Sequence, residues 1–479
     1  MTKKNPLAPE WLTVPADANA LPQQIWPSSA RRTSLGELEI GGVPASELSA
    51  QFGTPLFVID EDDFKRRAVA VRDAFRNAAA SIDTGVRVYY ASKAFLSTEI
   101  VQWISELDLN LDVASGGELA VALAGGIDPH KIGLHGNNKS LAEIGKAVHS
   151  GVGAIVIDSE LEIERIASAA GAQDKVQPVR LRVNSGVHAH THEFLATARE
   201  DQKFGIALSD VPDLVAKIRS HSHLKFLGLH SHIGSQIFSV EGFVEAAKRL
   251  IAVQAELLKG GEVPELNLGG GFGINYTTAD DAPDLNVFAG EIVAAVKAAC
   301  EEHAIAVPKL AFEPGRAIAG PSTVTLYNVG TIKDVRVTDG DEPAVRKYVS
   351  VDGGMSDNAR PALYEAEYSA RIASRVSDAE PALVRVVGKH CESGDIVVRS
   401  DYLPGDVAPS DLLAVPATGA YCYSLASNYN FLTRPPVVAV SNGHARLVLR
   451  GETEADLFSR DLRYLSTVGN AAKYDKDQE

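Results

Sequence analysis

The run VRVYYASKAF, residues 86–95, alternates apolar Val86, Val88 and Tyr90 with Arg87 and Tyr89 and then presents Lys93. A lysine where a buried strand ends either packs its stem and snorkels to water, or offers an amine to a carbonyl. Other groups able to do chemistry stand at similar places: Asp112 with Ser115, His135 with Asn137, Asp158, Arg182 with Asn184, His230 with His232, and Glu313. Three glycine-bearing stretches accompany them, GSQ (234–236), LGGGFGI (268–274) and EPGR (313–316). Glycines let backbone N–H groups approach an anion closely, although a glycine run is also an ordinary turn. Residue 274 is Ile, so the run is not a dinucleotide fingerprint. His188, His190 and His192 in HAHTH have an alternation that metal ligands also show. No metal is expected there.

The elements that must position these groups come in a regular rhythm. Strand-like apolar runs begin near residues 86, 110, 131, 153, 178, 226, 265 and 309, and amphipathic helical segments such as LAEIGKAVHS and VPDLVAKIRS lie between them. Strands alternating with helices imply a parallel sheet, and eight units suggest a closed (β/α)8 barrel, with a doubly wound open sheet as the alternative. After about residue 320 the segments become short, β-rich and separated by turns, which reads as an all-β domain. The expected division is a poorly ordered arm at 1–30, strands at 31–60 that join the β domain, a barrel at 61–320, and the β domain at 321–479. In a barrel, function gathers at the C-terminal ends of the strands, and the loops after strands 7 and 8 are the recurrent phosphate site. The polar groups above all fall at those ends. Lysine, phosphate cradle and terminal carboxylate together suit pyridoxal 5'-phosphate, which needs an amine, an anion anchor and a partner for its ring nitrogen. Glu313 is the candidate for that partner, and His232 for stacking on the ring.

YYASKAF, DVASGGEL, HSHIGSQ, GGGFGI, EPGR, CESGD and GAYCYSLASNYN, in this order, resemble the fold-type III (alanine racemase-like) pyridoxal-phosphate decarboxylases. HAHTHEFLATAREDQKFGI narrows the resemblance to the diaminopimelate decarboxylases, over roughly residues 35–470. The resemblance implies decarboxylation of meso-2,6-diaminopimelate to L-lysine and CO2, the last step of lysine biosynthesis. It implies Lys93 as the Schiff-base lysine, His232 as the stacking residue, and Asp112, Ser235, Gly270, Gly271, Glu313, Gly315, Arg316 and Tyr421 around the cofactor. It further implies Arg316, Arg360, Tyr364, Glu392 and Tyr421 on the substrate, with Cys391 as proton donor. Cys391 and Glu392 would reach the pocket of a second subunit, making the active unit a homodimer. RPALY (360–364) has a physical logic of its own, since a guanidinium fork binds a carboxylate bidentately.

The 479 residues, 45% hydrophobic and 23% charged, suffice for two or more domains. A net charge of −16 argues against broad binding to nucleic acid or anionic membrane. Three cysteines form no disulfide framework, and no secretory core or membrane-length apolar run occurs, so a cytoplasmic enzyme is expected. The alternatives are a related decarboxylase of ornithine, arginine or carboxynorspermidine, and a non-catalytic cofactor-binding homologue. HTHEF and RPALY bear on the first, and retention of Lys93, Cys391 and Glu392 argues against the second. A racemase of this fold pairs the ring nitrogen with arginine instead.

Overall fold

A computed structural model describes residues 4–187, 203–339 and 342–467. The chain divides into two compact units, Asp62–Pro321 and the combination of Met1–Glu61 with Ser322–Glu479. His188, His190 and His192 lie outside the described residues. No helix among the described residues is long and apolar enough to cross a membrane.

The unit Asp62–Pro321 is a closed parallel barrel. Its strands are β1 (Val86–Ala91), β2 (Asn110–Val113), β3 (Ile132–Leu134), β4 (Ala154–Ile157), β5 (Gln177–Asn184), β6 (Leu224–His230), β7 (Glu265–Asn267) and β8 (Lys309–Phe312). Each pairs in parallel with the next, and the β8–β1 pairing closes the ring. Helices form between them for legible reasons. Leu141–Ser150 starts at a capping box, in which Glu143 N–H donates to Ser140 Oγ at 3.2 Å and Ser140 N–H to Glu143 Oε2 at 2.9 Å. It ends at Gly151, whose φ of +73° is the left-handed C-terminal stop. The apolar faces of such helices meet the barrel through aromatic side chains, as where Phe75 stacks on Phe312 at 4.0 Å. Truncating Phe312, fully buried, to Ala would cost about 3–5 kcal/mol. Some charged groups are also buried, in pairs. Arg180 donates to Glu265 Oε2 at 2.8 Å and to the Tyr89 hydroxyl at 2.9 Å, and Lys139 donates to Glu162 Oε2 at 2.8 Å. Removing one partner of such a pair leaves a buried charge uncompensated.

In the other unit a nine-stranded sheet is built on the strand Leu56–Asp60, which pairs antiparallel with β9 (Thr323–Asp339) and parallel with β14 (Val437–Ser441). Beyond β9 lie β10 (Glu342–Val351), β11 (Pro381–Val387) and β12 (Ile396–Pro404), while β13 (Leu412–Pro416) pairs with β9 off this path. The early strand thus joins strands that lie more than two hundred residues later.

The expectation of a poorly ordered arm at residues 1–30 needs correction. From residue 4 onward the segment lies on the β unit: Trp26 is 1% exposed and packs with Ile25, Leu38, Val58 and Val438. Leu12 packs against Leu383 and Tyr402, and Arg346 donates to the Leu7 carbonyl at 2.7 Å. Its apolar anchors are widely and irregularly spaced, so no helix or strand period announces them.

Candidate active site

The strand ends of the barrel converge on one mouth. Lys93 follows β1 and is exposed, while Ser92 N–H donates to the Asp112 carbonyl and Ala91 N–H to the Pro314 carbonyl, which holds the strand end in place. The Lys93 ammonium is felt by both Asp112 and His232, so its charge acts within the mouth.

Glu313, at the end of β8, is the most heavily supported group. Asn267 Nδ2 donates to its Oε1 at 2.6 Å, and His230 Nε2 lies 3.1 Å from its carboxylate. Gly269 N–H donates to Asn267 Oδ1 at 2.8 Å, which fixes the amide so that its nitrogen faces Glu313. His135 Nε2 stands 3.1 Å from Asp112 Oδ1 and 3.6 Å from Glu313 Oε1. Burial pushes His135 and His230 down to about 4, so both imidazoles are neutral at physiological pH. Burial alone would raise Glu313, but His230 and His135 hold it well below the usual carboxylate range. Asp112 moves the other way, pushed well up by burial and by the Glu313 charge. One low-dielectric mouth does not carry both carboxylates ionised; Glu313 is the anion because it receives the donors. Gly133, opposite Asp112 in the register of β2 and β3, gives Asp112 its room, since a Cβ there would meet Asp112 Oδ1 at 2.7 Å.

His232 is also held neutral, its pKa driven well below the usual imidazole value by burial and then by Lys93. Gly270 N–H donates to its Nδ1 at 3.3 Å, which leaves the proton on Nε2.

The glycine loops form a tight cradle. Gly271 has φ +106°, and a Cβ there would stand 2.2 Å from the Gly234 carbonyl oxygen; at Gly270 it would meet the Glu313 carbonyl at 2.0 Å. Backbone so close admits no side chain. Ile237 N–H donates to the Gly271 carbonyl and Gly273 N–H to that of Ile237, locking the 234–237 loop to the 269–273 loop. Arg316, 5% exposed, opens the short helix after Gly315, donates to Ser235 Oγ at 2.8 Å and hydrogen-bonds the Tyr276 hydroxyl. The mouth therefore supplies an amine, an anion cradle and a carboxylate held ionised for a cationic nitrogen, the donor set pyridoxal phosphate requires. His135, His230 and Glu313 offer donor atoms within 4.8 Å of one another, close enough for a metal ion. The Asn267 amide, however, donates into the same carboxylate, which suits a proton-bearing partner better.

The remaining predicted residues belong to the β unit. Cys391 and Glu392 are exposed on the loop after β11. Asp395 organises that loop: its carboxylate accepts from the His390 backbone N–H at 2.8 Å and from Met355 N–H at 2.6 Å, and lies 2.9 Å from His390 Nδ1. Arg360 is buried, with Nη1 donating to the Tyr368 hydroxyl at 2.5 Å, and Tyr364 is half-buried on the same short helix. Tyr421 holds φ +63°, a conformation uncommon for a bulky residue. Sequence reasoning missed Asn267 and Tyr276, which hydrogen-bond Glu313 and Arg316. Asn267 lies in the run expected near residue 265, but only the register across the ring shows what it faces.

The comparisons agree with this geometry. Residues 67–320 match the family described as pyridoxal-dependent decarboxylase, pyridoxal binding domain. The diaminopimelate decarboxylase of Mycobacterium tuberculosis (strain ATCC 25618 / H37Rv) is 51% identical over 451 residues, covering 92% of this chain and 99% of that one. That of Bacillus subtilis (strain 168) is 42% identical over 444 residues, covering 92% and 98%. Among solved structures, the diaminopimelate decarboxylase of M. jannaschii in complex with L-lysine superposes with a TM-score of 0.82 at 30% identity, covering 91% of this chain and 98% of that one. The glycine cradle, the ionised Glu313 and the strand-end lysine are thus found in a chain related along nearly its whole length to enzymes of one kind: it belongs to the pyridoxal-dependent decarboxylases, in their diaminopimelate decarboxylase branch.

Proposed function

We propose that the barrel mouth decarboxylates meso-2,6-diaminopimelate to L-lysine and CO2, with Lys93, His232, Glu313 and the glycine cradle holding pyridoxal 5'-phosphate. The observation that carries this reading is Glu313, at the end of β8, which accepts from Asn267 and faces the neutral imidazole of His230. Bound pyridoxal phosphate supplies a protonated ring that accepts the electron pair left as CO2 departs. The chain's own residues do the rest. Glu313 holds the proton on the ring nitrogen. His232, neutral and protonated on Nε2, would face the ring without placing a competing charge there. Gly270, Gly271, Gly315 and Ser235 would hold the phosphate, with Asp112 and Tyr421 also assigned to the cofactor by the family resemblance. Lys93 would provide the amine that anchors the cofactor.

The rest of the assignment follows the family resemblance. Arg316, Arg360, Tyr364 and Tyr421 hold the distal carboxylate and ammonium of the substrate, so remote binding decides which end reacts. Glu392 contacts the same end, and Cys391 Sγ–H returns a proton to the substrate's α-carbon. Cys391 and Glu392 serve the pocket of a second subunit in a homodimer. Support for a covered face comes from their neighbours Tyr429 and Phe431, 41% and 70% exposed, which are apolar surface of the kind an interface buries. A cytoplasmic location belongs to the same reading.

The test offers meso-diaminopimelate, ornithine and lysine separately to the protein with pyridoxal phosphate. A site built to bind a second carboxylate disfavours substrates that lack it by on the order of 10⁴-fold. Comparable turnover of ornithine would assign the chain to the basic amino-acid decarboxylases instead.

A further inference from the structure

The turn Tyr429–Phe431 holds an unusual conformation. Asn430 has φ +52° and Phe431 φ +58°, two consecutive side-chain-bearing residues in the left-handed region. Asn tolerates that region; a bulky aromatic there is an outlier. Such backbone persists only where the surroundings over-determine it. Here they do. Asn428 Nδ2 donates to Glu452 Oε2 at 2.5 Å and to the Leu432 carbonyl at 3.0 Å, while Arg434 Nη1 donates to Glu452 Oε1 at 2.6 Å. The base of the turn is clamped on both sides.

The strained turn touches the Cys391 loop. Asn430 Oδ1 accepts the Cys391 backbone N–H at 3.0 Å, from a residue 39 positions away. The Tyr429 ring lies parallel to that of His390, with centroids 5.7 Å apart and an interplanar angle of 5°. The Tyr429 hydroxyl reaches Glu392 Oε2 at 3.5 Å. On its other side the Cys391 loop is closed by Asp395 through His390. The thiol-bearing residue is therefore gripped from two directions, although its side chain is exposed.

We infer that Asn430 is the positioning residue of Cys391: its side-chain carbonyl, aimed by the left-handed turn, fixes the backbone from which the thiol gives its proton. This rests on the reading of Cys391 as proton donor. Asn at this position serves two needs at once, an acceptor and tolerance of positive φ. Gly would keep only the second and Asp would keep both.

The experiment uses the full-length protein loaded with pyridoxal phosphate and assayed on meso-diaminopimelate. Asn430→Gly should lower kcat on the order of tenfold with KM changed less than about threefold, since small misplacement of a reacting group costs rate. Asn430→Asp should restore most of that loss. The decisive readout is the double variant. If Asn430 acts through Cys391, then Asn430→Gly added to Cys391→Ala lowers the residual rate no further, because the group it positions is already gone. Additive losses, an unchanged kcat in Asn430→Gly, or an Asn430→Asp protein as slow as Asn430→Gly would each overturn the inference while leaving Cys391 as proton donor. Full turnover by Cys391→Ala alone would sink both the inference and the reading beneath it. Folding is followed separately by thermal melting and by the visible absorbance of bound cofactor, both expected to match wild type in Asn430→Gly and Asn430→Asp.

Discussion

Replacing Glu313 by Gln changes one atom and removes one charge, and the structure tells what each loss does. Oε1 accepts from Asn267 Nδ2 and Oε2 faces His230 Nε2. An amide nitrogen at the Oε1 position would oppose the Asn267 donor, whose orientation Gly269 fixes. At the Oε2 position it would oppose His230 Nε2. His230 could relieve this by moving its proton to Nδ1, but that atom is buried with no partner among the described residues. Either arrangement leaves one buried donor unsatisfied, a cost of about 1–3 kcal/mol. At about 2–4 °C per kcal/mol for a unit of this size, the cofactor-free variant should melt roughly 2–12 °C lower. The larger effect is on rate. A hydrogen bond to a charged group is worth about 1.5–3 kcal/mol, so losing the anion at the ring nitrogen should cut kcat on the order of 10- to 10²-fold. Cofactor affinity should change far less, because the glycine cradle is untouched. The assay combines melting of the apoprotein, titration of cofactor by visible absorbance, and turnover at saturating cofactor. Turnover within threefold of wild type would show that Glu313 is not the partner of the ring nitrogen.

Lys93→Ala should lose the covalent attachment of cofactor; borohydride treatment of the wild type followed by digestion should find the label on Lys93, and label on another lysine would refute the assignment. Mixing inactive Lys93→Ala and Cys391→Ala proteins should restore activity if the site is shared, since about half the dimers are mixed and each has one intact pocket, giving roughly a quarter of wild-type activity. Exchange confirmed by mass without recovery would place both residues in one chain's pocket. In the β unit, burial pushes Asp357, which accepts from Tyr327 and Gly354 N–H, up to about 7. The folded state holds this proton, so the stability it contributes is present below about pH 4 and lost as pH rises to about 7, up to about 4 kcal/mol. Chemical denaturation from pH 4 to 7 should therefore show Asp357→Asn gaining on wild type as pH rises, and a pH-independent difference would contradict this.

The barrel was legible because its strands are buried on both faces and read as apolar runs between capped helices. The run expected near residue 110 is Asn110–Val113 and that near 309 is Lys309–Phe312; the one expected near 226 begins at Leu224, the widest departure. The strand ends then located Lys93, Asp112, His230, His232 and Glu313 without further information. Residues 4–30 were illegible because Leu12, Ile25 and Trp26 anchor an aperiodic segment, and periodicity is the primary local signal of an ordered element. The division of charge between Asp112 and Glu313 was also hidden. It depends on which carboxylate Asn267 and His230 reach, and that is set by register around a closed ring.

The most direct test is to incubate the purified protein and pyridoxal phosphate with meso-diaminopimelate and to measure CO2 and L-lysine together, with Lys93→Ala in parallel. The account predicts equimolar CO2 and L-lysine from the wild type and neither from the variant. Consumption of diaminopimelate without equimolar release of both products, or equal release by Lys93→Ala, would contradict it.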